Sequence, residues 1–276
     1  VWQRAYHGEP MSGDGLRAIL FDMDGVLYNS EEPIAGAADA VNWVREQGIP
    51  HLFVTNTSSR GRAALVDKLN RFGVTADENQ ILNPGVVAAA WLRSQPAGGV
   101  ALFVRPAARG EFAGLACLAE DAESGAAYVV IGDLGDRWDY HTLNRAFRLL
   151  HSDPEARLIA LGMTRYWQTP EGLALDVAPF VAALENASGR SALVMGKPAP
   201  AFFRAAFERL GVPAGAVVMI GDDLQADIAG AQAAGMKGGL VRTGKFRPSD
   251  LDGKVRPDAV LDSVADLPRW WRSQAG

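Results

Sequence analysis

The chain has 276 residues, enough to bury one large core or two moderate ones. Its 27 Lys and Arg against 32 Asp and Glu give a formal net charge of −5, which offers no electrostatic footprint for nucleic acid or an anionic membrane surface. No apolar run approaches the roughly 20 residues of a membrane-spanning helix. A lone cysteine, Cys117, leaves no intramolecular disulfide to form and fits a reducing cytoplasm. With four scattered histidines and no Cys/His zinc spacing, any metal is expected on oxygen ligands.

Residues 1–11 lack the apolar centre of a signal peptide and include Met11, a candidate start, so they are set aside as a tail. Arg17 to Phe21 then reads as a buried strand, with Asp22-Met23-Asp24-Gly25 where it runs out. Residues alternate sides along a strand, so while the chain stays extended both aspartates point the same way. Such a pair needs a cation between its members or a proton on one of them. A helix is expected over 36–47, a strand over 50–54 ending on Thr55-Asn56-Thr57-Ser58, and a helix over 60–72. This βαβ rhythm predicts a parallel sheet, in which ligands bind beyond the carboxyl ends of the strands.

From about Asn83 the rhythm continues with different punctuation. Helices are expected over 85–94, 140–151 and 179–187, and strands over 99–104, 127–131 and 157–161. The third part resumes with a strand over 191–195, Gly196-Lys197-Pro198 and a helix over 199–210. Next come a strand over 216–220, Gly221-Asp222-Asp223, and a helix over 224–234 carrying Asp227. Short strands near 239–242 and 258–261 and a last helix over 267–272 complete the chain. The expected organisation is a Rossmann-like α/β core, residues 12–83 and 190–276, interrupted by an inserted α/β domain, residues 84–189.

Four polar clusters thus end four predicted strands. Singly, Thr55 to Ser59 reads as a helix cap, Lys197 as a solvated loop lysine, and Asp222 or Asp223 as an N-cap with Asp227 on an exposed face. Together they form a set suited to phosphate chemistry. A phosphate dianion repels a carboxylate nucleophile unless a cation is shared between them, and Mg²⁺ prefers such oxygen ligands. Asp22 and Asp222 are the natural direct ligands; Thr55, Asn56 and Thr57 suit the equatorial phosphate oxygens; Lys197 offsets negative charge. One aspartate attacks phosphorus and Asp24 moves the proton.

The four segments, Asp22 to Leu27, Val54-Thr55-Asn56, Gly196-Lys197-Pro198 and Gly221 to Asp227, resemble in order the motifs of the haloacid dehalogenase superfamily. The resemblance implies Asp22 as nucleophile and Mg²⁺ ligand, Asp24 as acid/base contributing a backbone carbonyl to the metal, and Thr55 and Lys197 on phosphate. It also implies Asp222 as metal ligand, with Asp223 or Asp227 holding metal-bound water. The insertion between the second and third motifs is similar to the cap of subclass IIA, the nagD-like branch. The segments 140–147 and 164–176 are most similar to its HDHD-type and phospholysine phosphohistidine inorganic pyrophosphate phosphatase-like members.

These similarities imply a cytoplasmic, Mg²⁺-dependent phosphatase of small phosphorylated metabolites, with pyrophosphate a further substrate type. A non-catalytic phosphate-ligand binder and a phosphotransferase are the alternatives. Caps of this branch often take part in homodimers. Arg165, Tyr166 and Trp167 are the cap residues expected to face substrate; the other reading makes Tyr166 and Trp167 cap core and Arg165 a surface charge. Arg60 reads as the start of a solvated helix, the other reading being a contact to a substrate anion, and His51 and His141 read as packing or surface residues.

Overall fold

The structure is a computed structural model, and it describes residues 15–169 and 171–274. The tail assigned to 1–11, and residues 12–14 of the expected core, lie outside the described residues. Contacts within the chain divide it into two units. The first comprises residues up to Thr55, Ala63–Leu82 and Lys197 onwards; the second comprises Asn56–Arg62 and Asn83–Gly196.

The first unit is built on a six-stranded parallel sheet in the order Ala259–Leu261, Lys237–Val241, Val217–Gly221, Ala18–Asp22, His51–Val54, Ile81–Leu82. Every residue of Ala18–Asp22 is buried, as befits a strand covered on both faces, and its run of apolar side chains is what drives it to the centre. On one side it pairs with His51–Val54, Asp22 opposite Val54; on the other it pairs with Val217–Gly221, Phe21 opposite Ile220. The sequence order of strands therefore reverses at Ala18–Asp22, and such a reversal opens a crevice at the carboxyl ends. Phe21, Phe53, Val41, Leu69 and Ile220 are among the fully buried side chains of this core.

The second unit has its own parallel sheet, ordered Leu193–Val194, Arg157–Ala160, Ala126–Ile131, Gly99–Phe103, with a two-stranded antiparallel hairpin, Tyr166–Thr169 with Gly172–Leu175. Asp139 and Asp176 cap the helices Tyr140–Ser152 and Val177–Ser188 through Thr142 N–H and Val177 N–H.

Two expectations are corrected. The strand expected over 191–195 narrows to Leu193–Val194 and pairs with Arg157–Ala160, so it belongs to the smaller sheet and residues 190–196 go with the second unit. The helix expected over 60–72 starts at Arg62, where Arg62 Nε bonds Glu111 at 2.9 Å within the second unit; Thr55 to Thr57 therefore lie well ahead of its first turn and do not cap it.

Candidate active site

Three of the polar clusters end neighbouring strands of the large sheet. Asp22 is the last residue of the central strand, Thr55 follows His51–Val54, and Asp222 follows Val217–Gly221. Lys197 does not end a strand of that sheet. It stands at the start of the segment returning from the second unit, ahead of helix Pro200–Leu210, and Gly230 packs directly against the adjoining Pro198.

Lys197 is buried, and its Nζ donates to Asp22 Oδ1 at 2.5 Å and to Asp227 Oδ1 at 2.7 Å. Burial disfavours its charge, yet the two carboxylates outweigh burial and hold its pKa above the ordinary lysine value. Asp22, Asp222 and Asp227 are all buried and each offers a carboxylate oxygen within 4.8 Å of the others. Burial pushes Asp222 and Asp227 up to about 6, and raises Asp22 against the opposing pull of Lys197. Three carboxylates around one buried ammonium leave about two negative charges uncompensated there. Asp222 Oδ1 is moreover buried with no hydrogen-bond partner. The donor set fits a divalent cation with oxygen preference, to which Asp22, Asp222 and Asp227 each offer one ligand atom.

Asp227 reaches Lys197 because the expected helix over 224–234 opens as a widened π-helical turn, Leu224–Ala229, before Gly230–Ala233 continues as α-helix. Ile228 N–H bonds Asp223 O five residues back, and the Asp227 carboxyl fills the space a side chain on Gly221 would need. Asp223 caps this turn, accepting from Gln225 N–H and Ala226 N–H. Although burial opposes its charge, these donors and Lys245 keep its pKa below the ordinary value. Asp223 is thus held as a cap, outside the three-carboxylate cluster.

Asp24 occupies a different setting from Asp22. The strand stops at Asp22, so the alternation of an extended chain no longer applies, and Asp24 is exposed, its Oδ1 accepting from Ser30 N–H at 3.2 Å. Ser30 belongs to a small hairpin, Tyr28–Asn29 with Glu32–Pro33, braced by Lys68 Nζ lying 4.1 Å from the centre of the Tyr28 ring. The Asp24 carboxylate is not part of the cluster formed by the other three.

Thr55 is buried, its N–H bonded to Leu82 O at 3.1 Å. Asn56 and Thr57 are half-buried and fall in the second unit, as does Arg165, which is exposed. Tyr166 and Trp167 are 53% and 50% exposed, which rules out the reading that they are core. Trp167 lines a cavity of about 650 Å³ with Trp138, Phe180, Asp133 and Asp176. His51 is a packing residue bonded to Ile49 O and Gln80, while Arg60 and His141 are exposed.

Sequence reasoning missed the loop Thr243-Gly244-Lys245. Lys245 N–H donates to Asp222 Oδ2 at 2.7 Å, Lys245 Nζ pairs with Asp223 at 3.3 Å, and Thr243 Oγ1 donates to Gly25 O at 2.5 Å. The signal was available, because this loop follows a strand that the apolar run 239–242 announced.

Two family models match, haloacid dehalogenase-like hydrolase over residues 19–115 and HAD-hydrolase-like over 194–267. Phospholysine phosphohistidine inorganic pyrophosphate phosphatase of Homo sapiens is 39% identical over 257 residues, 91% of this chain and 93% of the relative. The chain belongs to the haloacid dehalogenase-like hydrolases, subclass IIA. Haloacid dehalogenase-like hydrolase domain-containing protein 2 of Bos taurus is 38% identical over 246 residues, covering 89% of this chain and 91% of its own. Among solved structures, a p-nitrophenyl phosphatase from Archaeoglobus fulgidus is 28% identical with a TM-score of 0.84, covering 93% of this chain and 99% of that one. The two matched segments of this hydrolase family contain Asp22, Asp24, Thr55, Lys197, Asp222, Asp223 and Asp227.

Proposed function

We propose that the protein is a Mg²⁺-dependent phosphatase that hydrolyses small phosphorylated metabolites through an aspartyl-phosphate on Asp22. The observation that carries this reading is the buried Lys197 ammonium bonded to Asp22 and Asp227, with Asp222 completing the oxygen cluster. When bound, Mg²⁺ neutralises enough charge for a carboxylate to approach a phosphate dianion. Asp22, Asp222 and Asp227 would hold it, and Asp24 would add its backbone carbonyl. Gly25 N–H donates to Tyr28 O at 2.7 Å, which fixes the plane of the peptide carrying that carbonyl.

Lys197, and Thr55 with Asn56 and Thr57 beside it in the chain, bind phosphate oxygens. An Asp22 carboxylate oxygen forms a bond to phosphorus as the bond to the leaving oxygen breaks, and Asp24 gives that oxygen a proton. Water then attacks phosphorus, Asp24 takes up its proton, and inorganic phosphate and the Asp22 carboxylate are released.

Substrate selection is assigned to the second unit, with Arg165 and the exposed Tyr166 and Trp167 as its candidate residues. Among the described residues no helix is long and apolar enough to cross a membrane, in keeping with a cytoplasmic enzyme. The relatives' names make p-nitrophenyl phosphate and inorganic pyrophosphate the first substrates to try. Asp22→Asn should release no phosphate from p-nitrophenyl phosphate above background, with wild-type melting behaviour. Turnover unchanged by that substitution would defeat the mechanism.

A further inference from the structure

The two oxygens of Asp222 have unlike surroundings. Oδ2 accepts Lys245 N–H and lies where a side chain on either Gly25 or Gly244 would have to go; Oδ1 is buried without a hydrogen-bond partner. The carboxylate is anchored through one oxygen and keeps the other without a hydrogen-bond partner, in a residue that clusters with Asp22 and Asp227.

Both glycines have backbone angles that L side chains rarely adopt, φ 90° at Gly25 and 61° at Gly244, and a Cβ on Gly244 would approach Gly25 Cα to 2.5 Å. The turn after Asp24 and the loop after Lys237–Val241 therefore touch backbone to backbone around the carboxyl group. Gly25 is fixed at both ends, its N–H on Tyr28 O and its carbonyl on Thr243 Oγ1 at 2.5 Å. The ion pair between Lys245 Nζ and Asp223 adds little, since the lysine side chain is 73% exposed and the pair is screened by water.

We propose that Thr243-Gly244-Lys245 is a positioning clamp for the cation site, with the Thr243 hydroxyl as its latch. This rests on the reading of Asp22, Asp222 and Asp227 as cation ligands. Thr243 locks the Gly25 carbonyl, which keeps Gly25 pressed against Gly244 and leaves a slot the width of one carboxylate oxygen. Lys245 N–H closes that slot on Oδ2. Oδ1 is then oriented before a divalent cation arrives, so binding does not have to include the ordering of the ligand. Without the hydroxyl, the Gly25 peptide is free to turn and Asp222 to rotate.

Mg²⁺ titration calorimetry without substrate tests the clamp, with cation-free melting as the control for folding. Thr243→Val, close to isosteric, should bind Mg²⁺ about tenfold more weakly or worse, the usual range for removing a group that orients a ligand. Thr243→Ser should bind close to wild type, and Gly244→Ala should bind more weakly than Thr243→Val. Thr243→Ala removes the hydroxyl without adding a second methyl and carries the same expectation, which decides the case if the valine variant does not fold. A folded Thr243→Val or Thr243→Ala protein with wild-type affinity would overturn the clamp, and so would an equal loss in Thr243→Ser. If the wild-type protein itself takes up no divalent cation, the underlying reading fails, an outcome separate from any difference among the Thr243 variants.

Discussion

Both parallel sheets come from the same alternation of strand and helix, yet they dispose of charge in different ways. Among the described residues every buried aspartate and lysine lies in the first unit: Asp22, Lys68, Lys197, Asp222 and Asp227. In the second unit Arg109 and Arg137 pair with Glu120, and Arg148 with Glu123, on groups about a third to a half exposed, while Arg62 pairs with Glu111, whose side chain is only 7% exposed. Burying ions costs several kcal/mol apiece unless they are well paired. The first unit gathers three buried carboxylates around one buried ammonium at its strand ends, whereas the second, which contains no lysine, buries a carboxylate only as the Glu111 partner of Arg62 among the described residues. Such an excess has no use in packing, which is what singles the cluster out as the candidate site.

The sharpest way to break this contrast is Lys197→Met. It keeps the length and packing of the side chain but leaves Asp22 and Asp227 buried without their shared ammonium. Removing one partner of a buried pair typically costs about 3–5 kcal/mol, so denaturant unfolding of the cation-free protein should reveal a loss of that order. A loss no larger than that from a surface substitution would erase the distinction between the two units.

A second effect is a pH dependence. Asp222 and Asp227 have folded pKa values of about 6 against 3.8 as the ordinary value. Between those limits the folded site keeps protons that the unfolded chain releases. Their contribution to stability is therefore favourable below about pH 4, falls as pH rises, and reaches its low plateau above about pH 6. A bound divalent cation compensates the charge. The rise in Tm produced by saturating Mg²⁺ should accordingly be several degrees larger at pH 7.5 than at pH 5. An equal rise at both values would mean that these carboxylates are not what the cation neutralises.

The smallest effect belongs to the second unit. Arg148→Ala removes a 3.1 Å pair whose side chains are both 52% exposed. Its unfolding free energy should stay within about 1 kcal/mol of wild type, the ordinary worth of a solvated pair.

Much of this was legible in the sequence, because the central strand and its neighbours are continuous apolar runs and the chemistry begins where each run stops. The placement of Asp22 and Asp222 at strand ends was readable for that reason, and that of Asp227 by its place one turn into the next helix, whereas Lys197 follows a strand of the other sheet. What the sequence concealed is long-range and steric. That the strand before Lys197 joins the smaller sheet depends on its pairing with Arg157–Ala160, which no local pattern encodes. That Gly25, Gly221 and Gly244 leave room for carboxyl groups is a matter of close approach, invisible in a string of glycines. Asp22 and Asp24 looked equivalent only for as long as the chain was taken to remain extended. The hairpin that holds Asp24 is two residues long in each strand, too short to raise an alternating signal.

The partnership of Lys197 with Asp22 also bears on the order of events as the chain is made. Asp22 emerges early, and its counter-ion is 175 residues further on; the strand Val217–Gly221 that covers its other side comes later still. The intervening 83–196 segment is continuous and has its own sheet and core, so it is able to fold as soon as it is complete. The six-stranded sheet has to wait with its central strand unpaired on one side and its aspartate uncompensated. The last third of the chain thus completes the sheet and compensates the carboxylate in one step, and a chain stopped short of Lys197 would leave the strand Ala18–Asp22 exposed beside an unpaired carboxylate.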